Sequence, residues 1–254
     1  TFPLNSSHSI SKRMEYPEPM EHGPIVEVIP DIFVVSGVMR SEQNSTTAQF
    51  SRNMVIIREG EHLTIVNSIL LDEDGLDELE CLGMVTNVVS LGQAHGRDDE
   101  FYLDRWGGKL WAPANLQHRS GRAVDVTLVP EGPFPVENCS YIGFSATTGS
   151  DEGVLLLNRA GGIALVCDSF LNWPQADSYF DEPTAHSMQE AGLLNGLQIG
   201  ADWLKRSQPT ANEFSPFAKH SFENLLPAHG VAILGGADSQ VRALINELAG
   251  AATT

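Results

Sequence analysis

Residues 85–99 read VTNVVSLGQAHGRDD, and the fold prediction depends on this stretch. Its first seven residues are mostly β-branched or apolar and have the length of a buried strand. The turn that follows carries His95 and ends with Asp98 and Asp99. Loops from several elements converge at strand ends in α/β proteins. A histidine and two carboxylates directly after a strand therefore predict a ligand site at this end of a sheet.

Strands and helices alternate on both sides of this stretch. Strands are predicted before it at residues 25–29, 32–35, 54–58 and 63–67, followed by a helix at 72–82. A helix at 98–106 and a strand at 109–112 follow it. The second half repeats the order, with strands at 124–129, 141–145, 154–158, 163–167 and 231–234 and helices at 185–206 and 239–248. Two β-rich halves, each followed by helices, predict an α/β protein built as a four-layer αββα sandwich.

The domain organisation follows from composition. The first 24 residues are polar and include Pro17, Pro19 and Pro24, so we expect an N-terminal arm at 1–24. Residues 25–254 are expected to form a single domain, because the chain is 42 % apolar and long enough to bury a full core. The three cysteines form no CxxC pair, which favours a reducing compartment and hence a cytoplasmic location.

The charge balance narrows the class of partner. The chain has 15 basic and 33 acidic side chains, which gives a formal net charge of −18. Nucleic acids and anionic membrane surfaces require clustered lysine and arginine, so both are excluded as expected partners. No apolar run approaches the roughly 18 residues of a membrane span. We therefore expect a soluble protein that acts on, or binds, a small molecule.

Two further segments place potential metal ligands beside predicted strands. Residues 165–169 read LVCDS, so that Asp168 follows a strand, and residues 225–230 read LLPAHG, so that His229 precedes one. A further segment, Gly107-Gly108 followed by the predicted strand KLWA, lies between the first of these sites and the other two. The order and spacing of these segments resemble the metallo-β-lactamase fold superfamily over nearly the whole chain from about residue 25. The resemblance implies the αββα architecture and a metal-dependent hydrolase.

The chain departs from the metal-binding motifs of that superfamily. Its members carry a His-x-His-x-Asp-His motif after a strand, and Ala94 and Gly96 occupy the positions of the first two histidines. The third histidine of that metal site falls on Ala146. All three imidazoles of one site are therefore absent. The resemblance implies that the second site survives, with the ligands Asp98, Asp99, Asp168 and His229 and with His95 as an adjacent donor.

The surviving set predicts at most one bound metal ion. Three carboxylates and one imidazole would suit manganese, iron or magnesium at least as well as zinc. Asp98 is the expected catalytic residue, because it could orient or deprotonate water at the ion. The predicted reaction is hydrolysis of a small ester, thioester or lactone. The alternative is a catalytically inactive pseudoenzyme that holds no metal and binds a small molecule or a protein.

Two loops are predicted to form the walls of a substrate cleft. Residues 113–122 contain His118, Arg119 and Arg122, which could meet an anionic group of the substrate. Residues 172–184 contain Trp173, which could cover an apolar portion. Structural roles stay open for the same residues. The aspartate pair could cap the helix at 98–106, His229 could be a hydrogen-bonded structural residue, and both loops could simply lie on the body of the protein.

Overall fold

Strands account for much of the chain. The computed structural model describes residues 16–43, 46–144 and 152–251. Within these ranges a seven-stranded sheet has the order β1-β2-β3-β4-β5-β6-β7. Strands β1 to β4 pair antiparallel, and β4 to β7 pair parallel. The strands are β1 Val26–Ile29, β2 Ile32–Gln43, β3 Thr46–Glu59, β4 His62–Val66, β5 Met84–Val89, β6 Lys109–Pro113 and β7 Val126–Leu128.

The second half of the chain builds a smaller sheet. In the described part of the chain it has five strands in the order β14-β13-β10-β9-β8, with β10 and β13 parallel. A separate antiparallel pair joins β11 and β12. These strands are β8 Cys139–Phe144, β9 Glu152–Leu157, β10 Ile163–Val166, β11 Phe170–Trp173, β12 Gly196–Ile199, β13 Asn224–Pro227 and β14 Ile233–Leu234.

Helices cover the outer faces of both sheets. They are α1 Glu73–Leu82, α2 Asp99–Trp106, α3 Glu182–Glu190, α4 Ala201–Ser207 and α5 Ala237–Ala251, with a 3₁₀ helix at Ala211–Lys219. The caps agree with the sequence, since Asp72 accepts the Gly75 N–H and Asp181 accepts the Thr184 N–H at the starts of α1 and α3. Over the described residues, none of the helices has the length and apolar character needed to cross a membrane.

Three apolar layers hold the sheets and helices together. In β3, Val55 and Ile57 face the second sheet, whereas Met54 and Ile56 face α1 and α2. Leu155 of β9 likewise packs between the sheets, and its neighbours along the strand pack against Trp203 and the helices of the second half. Strands buried on both faces lie between two helical layers. The predicted four-layer αββα sandwich is confirmed.

The long helix predicted at 185–206 is wrong. The segment contains α3, then β12, then α4, because Gly192 and Gly196 have φ angles of +70° and +101° and interrupt any right-handed helix. The strand predicted at 231–234 is shortened to β14. Strands β11 and β13 were not predicted, since each is only four residues long and β13 ends in a proline.

Part of the predicted N-terminal arm lies along the body of the protein. Residues 1–15 are outside the described residues. From Tyr16 onward, the Tyr16 hydroxyl donates to Asp104, and the Val38 N–H donates to the Glu21 carbonyl. His22 forms an isolated bridge with Gly37. The end of the arm therefore runs beside β2.

Candidate functional site

Two parallel strands of the smaller sheet bring Asp168 and His229 to one edge. Val166, the last residue of β10, pairs with Pro227, the last residue of β13. Asp168 and His229 each follow two residues later, so both side chains start at the carboxyl ends of neighbouring parallel strands. His95 reaches the same place from the loop after β5 of the larger sheet. The site lies where the two sheets meet.

The donor atoms of these three residues, named here the His–Asp–His cluster (His95, Asp168 and His229), converge. The Nε2 of His95 lies 3.1 Å from Asp168 Oδ1 and 3.3 Å from His229 Nε2, and the third side of the triangle measures 3.4 Å. Tetrahedral ligands at roughly 2.0–2.1 Å from an ion are about 3.3 Å apart. The spacing therefore fits one small divalent cation. The three side chains are 12 %, 17 % and 9 % exposed, so solvent reaches them.

His229 is oriented by the larger sheet. Its Nδ1 lies 2.9 Å from the Ser51 carbonyl oxygen, which only accepts, so Nδ1 carries the proton and Nε2 presents a lone pair to the cluster. The turn around His229 is fixed by Asn53, whose amide donates to the carbonyls of Pro227 and Gly230. A Cβ at Gly230 would lie 2.0 Å from the Asn172 carbonyl, so only glycine fits there.

Asp168 carries the negative charge of the cluster. Burial opposes its ionisation, but the neighbouring His95 and His229 outweigh that effect and hold the pKa of Asp168 well below its usual range. Its second oxygen, Oδ2, accepts from the Arg206 guanidinium at 3.0 Å. The carboxylate is therefore ionised and has Oδ1 directed at both imidazoles.

Two further ionisable groups lie beneath the cluster. The Sγ of Cys167 is within 4.8 Å of the donor atoms of His95 and Asp168. Burial raises the pKa of the Cys167 thiol well above its usual range. Glu152 accepts the Ser169 N–H at 2.6 Å, and burial followed by the charge of Asp168 raises its pKa to about 8. Both groups are therefore held in their neutral forms near pH 7.

Asp98, expected as a metal ligand and as the catalytic residue, lies elsewhere. Its buried carboxylate is ion-paired with Arg52 at 2.7 Å and with Arg97 at 3.0 Å, and it accepts the Leu70 N–H. Within the described residues, no hydrogen bond or ion pair joins it to the His–Asp–His cluster. It does not cap α2 with its side chain either. The structure therefore places Asp98 in a buried ion-pair network.

Asp99, the second expected carboxylate ligand, is also separated from the cluster. It is fully buried in the first turn of α2, where it accepts from the Ser68 hydroxyl and lies 3.1 Å from the Nε2 of His118. A Cβ at Gly96 would lie 2.9 Å from Asp99 Oδ2, so a histidine at that position would clash with this pair. The four expected ligands are thus divided between two places, and only Asp168 and His229 meet.

Solved metallo-β-lactamase structures have folds similar to that of this chain. The DIM-1 metallo-β-lactamase is 16 % identical, covers 91 % of this chain and 100 % of its own, and has a TM-score of 0.57. The FIM-1 enzyme from Pseudomonas aeruginosa, in its mono-zinc form, is 13 % identical, covers 91 % and 98 %, and has a TM-score of 0.58. A metallo-β-lactamase from Hirschia baltica is 12 % identical and has a TM-score of 0.55. The match covers 90 % of this chain and 98 % of the Hirschia baltica chain.

The chain has the metallo-β-lactamase fold. No protein-family model and no curated protein matches its sequence. The predicted resemblance is therefore confirmed for the fold. At 12–16 % identity the likeness concerns the fold alone, and the site chemistry must come from the residues of this chain.

The predicted cleft walls are mostly engaged in internal contacts in this metallo-β-lactamase fold. Trp173 is buried, donates to the Ser51 hydroxyl at 2.8 Å and packs on the His229 ring, so it supports the cluster from behind. His118 is buried against Asp99, and Arg122 is paired with Asp104 at 2.7 Å. Arg119 is exposed. Of the four residues predicted to bind substrate, Trp173 and His118 are buried, Arg122 is partly exposed within its ion pair, and Arg119 is exposed.

Three residues that contact the site, Arg206, Ser51 and Glu152, were not predicted from the sequence. Arg206 was assigned to a long helix that does not exist, and Ser51 lies in β3 without any motif around it. Glu152 is the first residue of β9. In the sequence it is a charged residue next to an apolar run, and no motif around it indicates a functional role. The expected position of the third metal-site histidine, Ala146 within residues 145–150, lies outside the described residues.

Proposed function

We propose that the chain binds one divalent cation through His95, Asp168 and His229 and hydrolyses a small ester, thioester or lactone with it. The observation that carries the proposal is the spacing of the three donor atoms, which lie 3.1–3.4 Å apart. They come from three separate loops and from both sheets, so local chain geometry alone does not bring them together.

The residues around the cluster suit this role. His229 has its tautomer fixed by the Ser51 carbonyl, and Asp168 is held as an anion whose other oxygen is bound by Arg206. A divalent cation held there would act as a Lewis acid that polarises a carbonyl group and lowers the pKa of water. The half-buried Phe50 ring packs on His229 at 5.6 Å and offers an apolar contact for the substrate.

The identity of the ion follows from the donor set. The sequence predicted an oxygen-rich site, but the structure brings together two imidazoles and one carboxylate. This set suits zinc, and it also suits iron(II). Magnesium and manganese, which prefer oxygen ligands, are expected to bind more weakly.

A second candidate function, a pseudoenzyme that binds a ligand without turnover, is favoured by the position of Asp98. The residue predicted to activate water is held between Arg52 and Arg97. In the part of the chain that the structure describes, no other aspartate or glutamate hydrogen-bonds or forms an ion pair with His95 or His229 except Asp168, which is itself a proposed ligand. The scaffold could then hold a metal or a small molecule without hydrolysing it.

Metal titration of the full chain tests the proposal. Calorimetry with zinc on chelator-treated protein should give one site, and Asp168→Asn and His229→Ala should each weaken binding at least tenfold. His186→Ala is the matched control, because His186 is exposed and its imidazole pairs with Glu190, outside the His–Asp–His cluster. Unchanged affinity in both cluster variants would overturn the proposed site.

Hydrolysis is then assayed separately with small esters, thioesters and lactones. Turnover that requires zinc and is lost in Asp168→Asn supports the hydrolase. Zinc binding with no turnover of any of these three classes overturns the hydrolase and supports the pseudoenzyme.

A further inference from the structure

A second constellation joins the loop between β6 and β7 to the first turn of α2. Ser120, His118 and Asp99 form a continuous hydrogen-bonded chain: the Ser120 hydroxyl lies 2.8 Å from His118 Nδ1, and His118 Nε2 lies 3.1 Å from Asp99 Oδ2. The Gly121 N–H donates to the His118 carbonyl at 2.8 Å and closes the turn that carries the serine. None of these three residues belongs to the His–Asp–His cluster.

The direction of each hydrogen bond is determined by the donors and acceptors. The Asp99 carboxylate only accepts, and the Ser68 hydroxyl donates to its Oδ1, so the proton on the His118 ring sits on Nε2 and is donated to Oδ2. The Nδ1 atom therefore has a lone pair. It accepts from the Ser120 hydroxyl and, at 3.4 Å, from the Ser120 N–H. The Arg122 N–H donates to the serine oxygen, which leaves the hydroxyl proton directed at Nδ1.

The three residues of this hydrogen-bonded chain differ in burial. Nucleophilic catalysis requires a nucleophile that the substrate can reach and a base that is held in place. The side chains of Asp99 and His118 are fully buried, whereas Ser120 is exposed. A Cβ built on the next residue, Gly121, would meet no atom within 4 Å, so this part of the turn is open. Arg119, the preceding residue, is also exposed and brings positive charge to the opening. A shielded base and an accessible hydroxyl are thus adjacent.

We propose that Ser120 is the nucleophile of a second, metal-independent site that takes small esters. The Oγ attacks the carbonyl carbon as its proton passes to His118 Nδ1, the C–O bond to the alcohol breaks, and that proton goes to the departing alkoxide. Water then cleaves the acyl-serine by the same route in reverse. Asp99 is a positioning residue that holds the tautomer of His118. The order of groups is that of a serine–histidine–aspartate triad with the two ring nitrogens exchanged.

Labelling with a fluorophosphonate tests this site on the full chain. Attack by the serine oxygen forms an O–P bond, expels fluoride and leaves a mass increment on one peptide. Wild type should gain one adduct, located on Ser120, with the same rate after treatment with chelator. Ser120→Ala should lose the adduct. His118→Gln should slow labelling about 100-fold, the range typical of a general base. Ser239→Ala is the matched control, since Ser239 is an exposed serine whose hydroxyl donates to Asp238.

The outcomes are decisive in either direction. An unlabelled wild type, an adduct on a different serine, or a Ser120 rate unchanged in His118→Gln would overturn the proposal. Ser120 is exposed, so Ser120→Ala should keep the wild-type unfolding curve, and its result does not depend on whether His118→Gln folds. Chelator resistance separates this site from the His–Asp–His cluster, so either site can fail without the other.

Discussion

Glu152 illustrates how one buried carboxyl couples the site to pH. Its carboxyl group accepts the Ser169 N–H and is fully enclosed beside Gly92, whose Cβ, if present, would lie 3.2 Å from Glu152 Oε2. Burial and then the charge of Asp168 raise its pKa to about 8 in the folded protein. Between pH 4.5, the ordinary pKa of the group, and about pH 8, Glu152 is therefore protonated in the folded state and ionised in the unfolded chain.

The pH dependence of stability should report this group. Because the folded pKa is raised, the contribution of Glu152 is fully present below about pH 4.5 and is lost as pH rises towards 8. Glutamine does not titrate, so Glu152→Gln should remove this loss of stability. The unfolding free energy of the variant should therefore rise relative to that of wild type between pH 5 and pH 8. Urea unfolding at several pH values measures it. Glu131→Gln, at an exposed position, is the control, and parallel curves for wild type and Glu152→Gln would contradict the expectation.

At the scale of elements, glycine conformation helps to determine where α2 and α3 end, since each is followed by a glycine at positive φ. Gly192 follows α3 with φ of +70°, and nothing lies within 4 Å of a Cβ built there. The cost of a side chain at this position is therefore conformational and does not come from a clash. Gly250, by contrast, lies inside α5 and also has open space around its Cβ position. The two positions therefore differ in backbone conformation, which is left-handed at Gly192 and helical at Gly250.

Alanine at these two glycines should have opposite effects on the free energy of unfolding. Gly192→Ala should lower it by about 1 kcal/mol, because alanine is strained at positive φ. Gly250→Ala should leave it unchanged or raise it by up to about 1 kcal/mol, because alanine favours the helix. Chemical denaturation of both variants measures the pair, and a change of the same sign in both would refute the explanation.

The same contrast shows what sequence could and could not predict. The apolar runs that became β3, β4, β5 and β10 predicted their strands, because burial on both faces leaves a strong pattern. The 185–206 helix failed because apolar spacing fits a helix until positive φ at glycine is considered. Asp168 was predictable from the end of a predicted strand. His229 was predicted from the resemblance of its turn, whereas β13, the strand that it follows, was not predicted. The positions of Asp98 and Asp99 were not predictable, since their partners come from distant segments that carry no motif.

At the scale of the whole molecule, the His–Asp–His cluster joins the two sheets. His95 follows β5 of the larger sheet, while Asp168 and His229 follow strands of the smaller one. The Ser51 carbonyl, in β3, also binds His229 across this boundary. An ion held by all three side chains would therefore bind the folded chain and not the separated sheets.

Zinc should consequently stabilise the protein against unfolding. At 100 times its dissociation constant, a ligand specific for the folded state adds about 2.7 kcal/mol. The melting temperature of chelator-treated wild type should rise on addition of zinc, and that of Asp168→Asn should not. Differential scanning calorimetry provides the measurement, with His186→Ala expected to respond as wild type does. A zinc response of equal size in Asp168→Asn would show that the ion binds elsewhere.

The ion pairs around Asp98 determine how mutations there must be interpreted. Removing its carboxylate would leave the guanidinium groups of Arg52 and Arg97 facing each other without an anion, in a region where Arg52 itself is buried. Breaking such a buried pair typically costs 3–5 kcal/mol. Lost turnover in such a variant would then reflect a shortage of folded molecules. An aspartate that looks catalytic in an alignment would thus score as essential in a screen for a reason unrelated to bond cleavage.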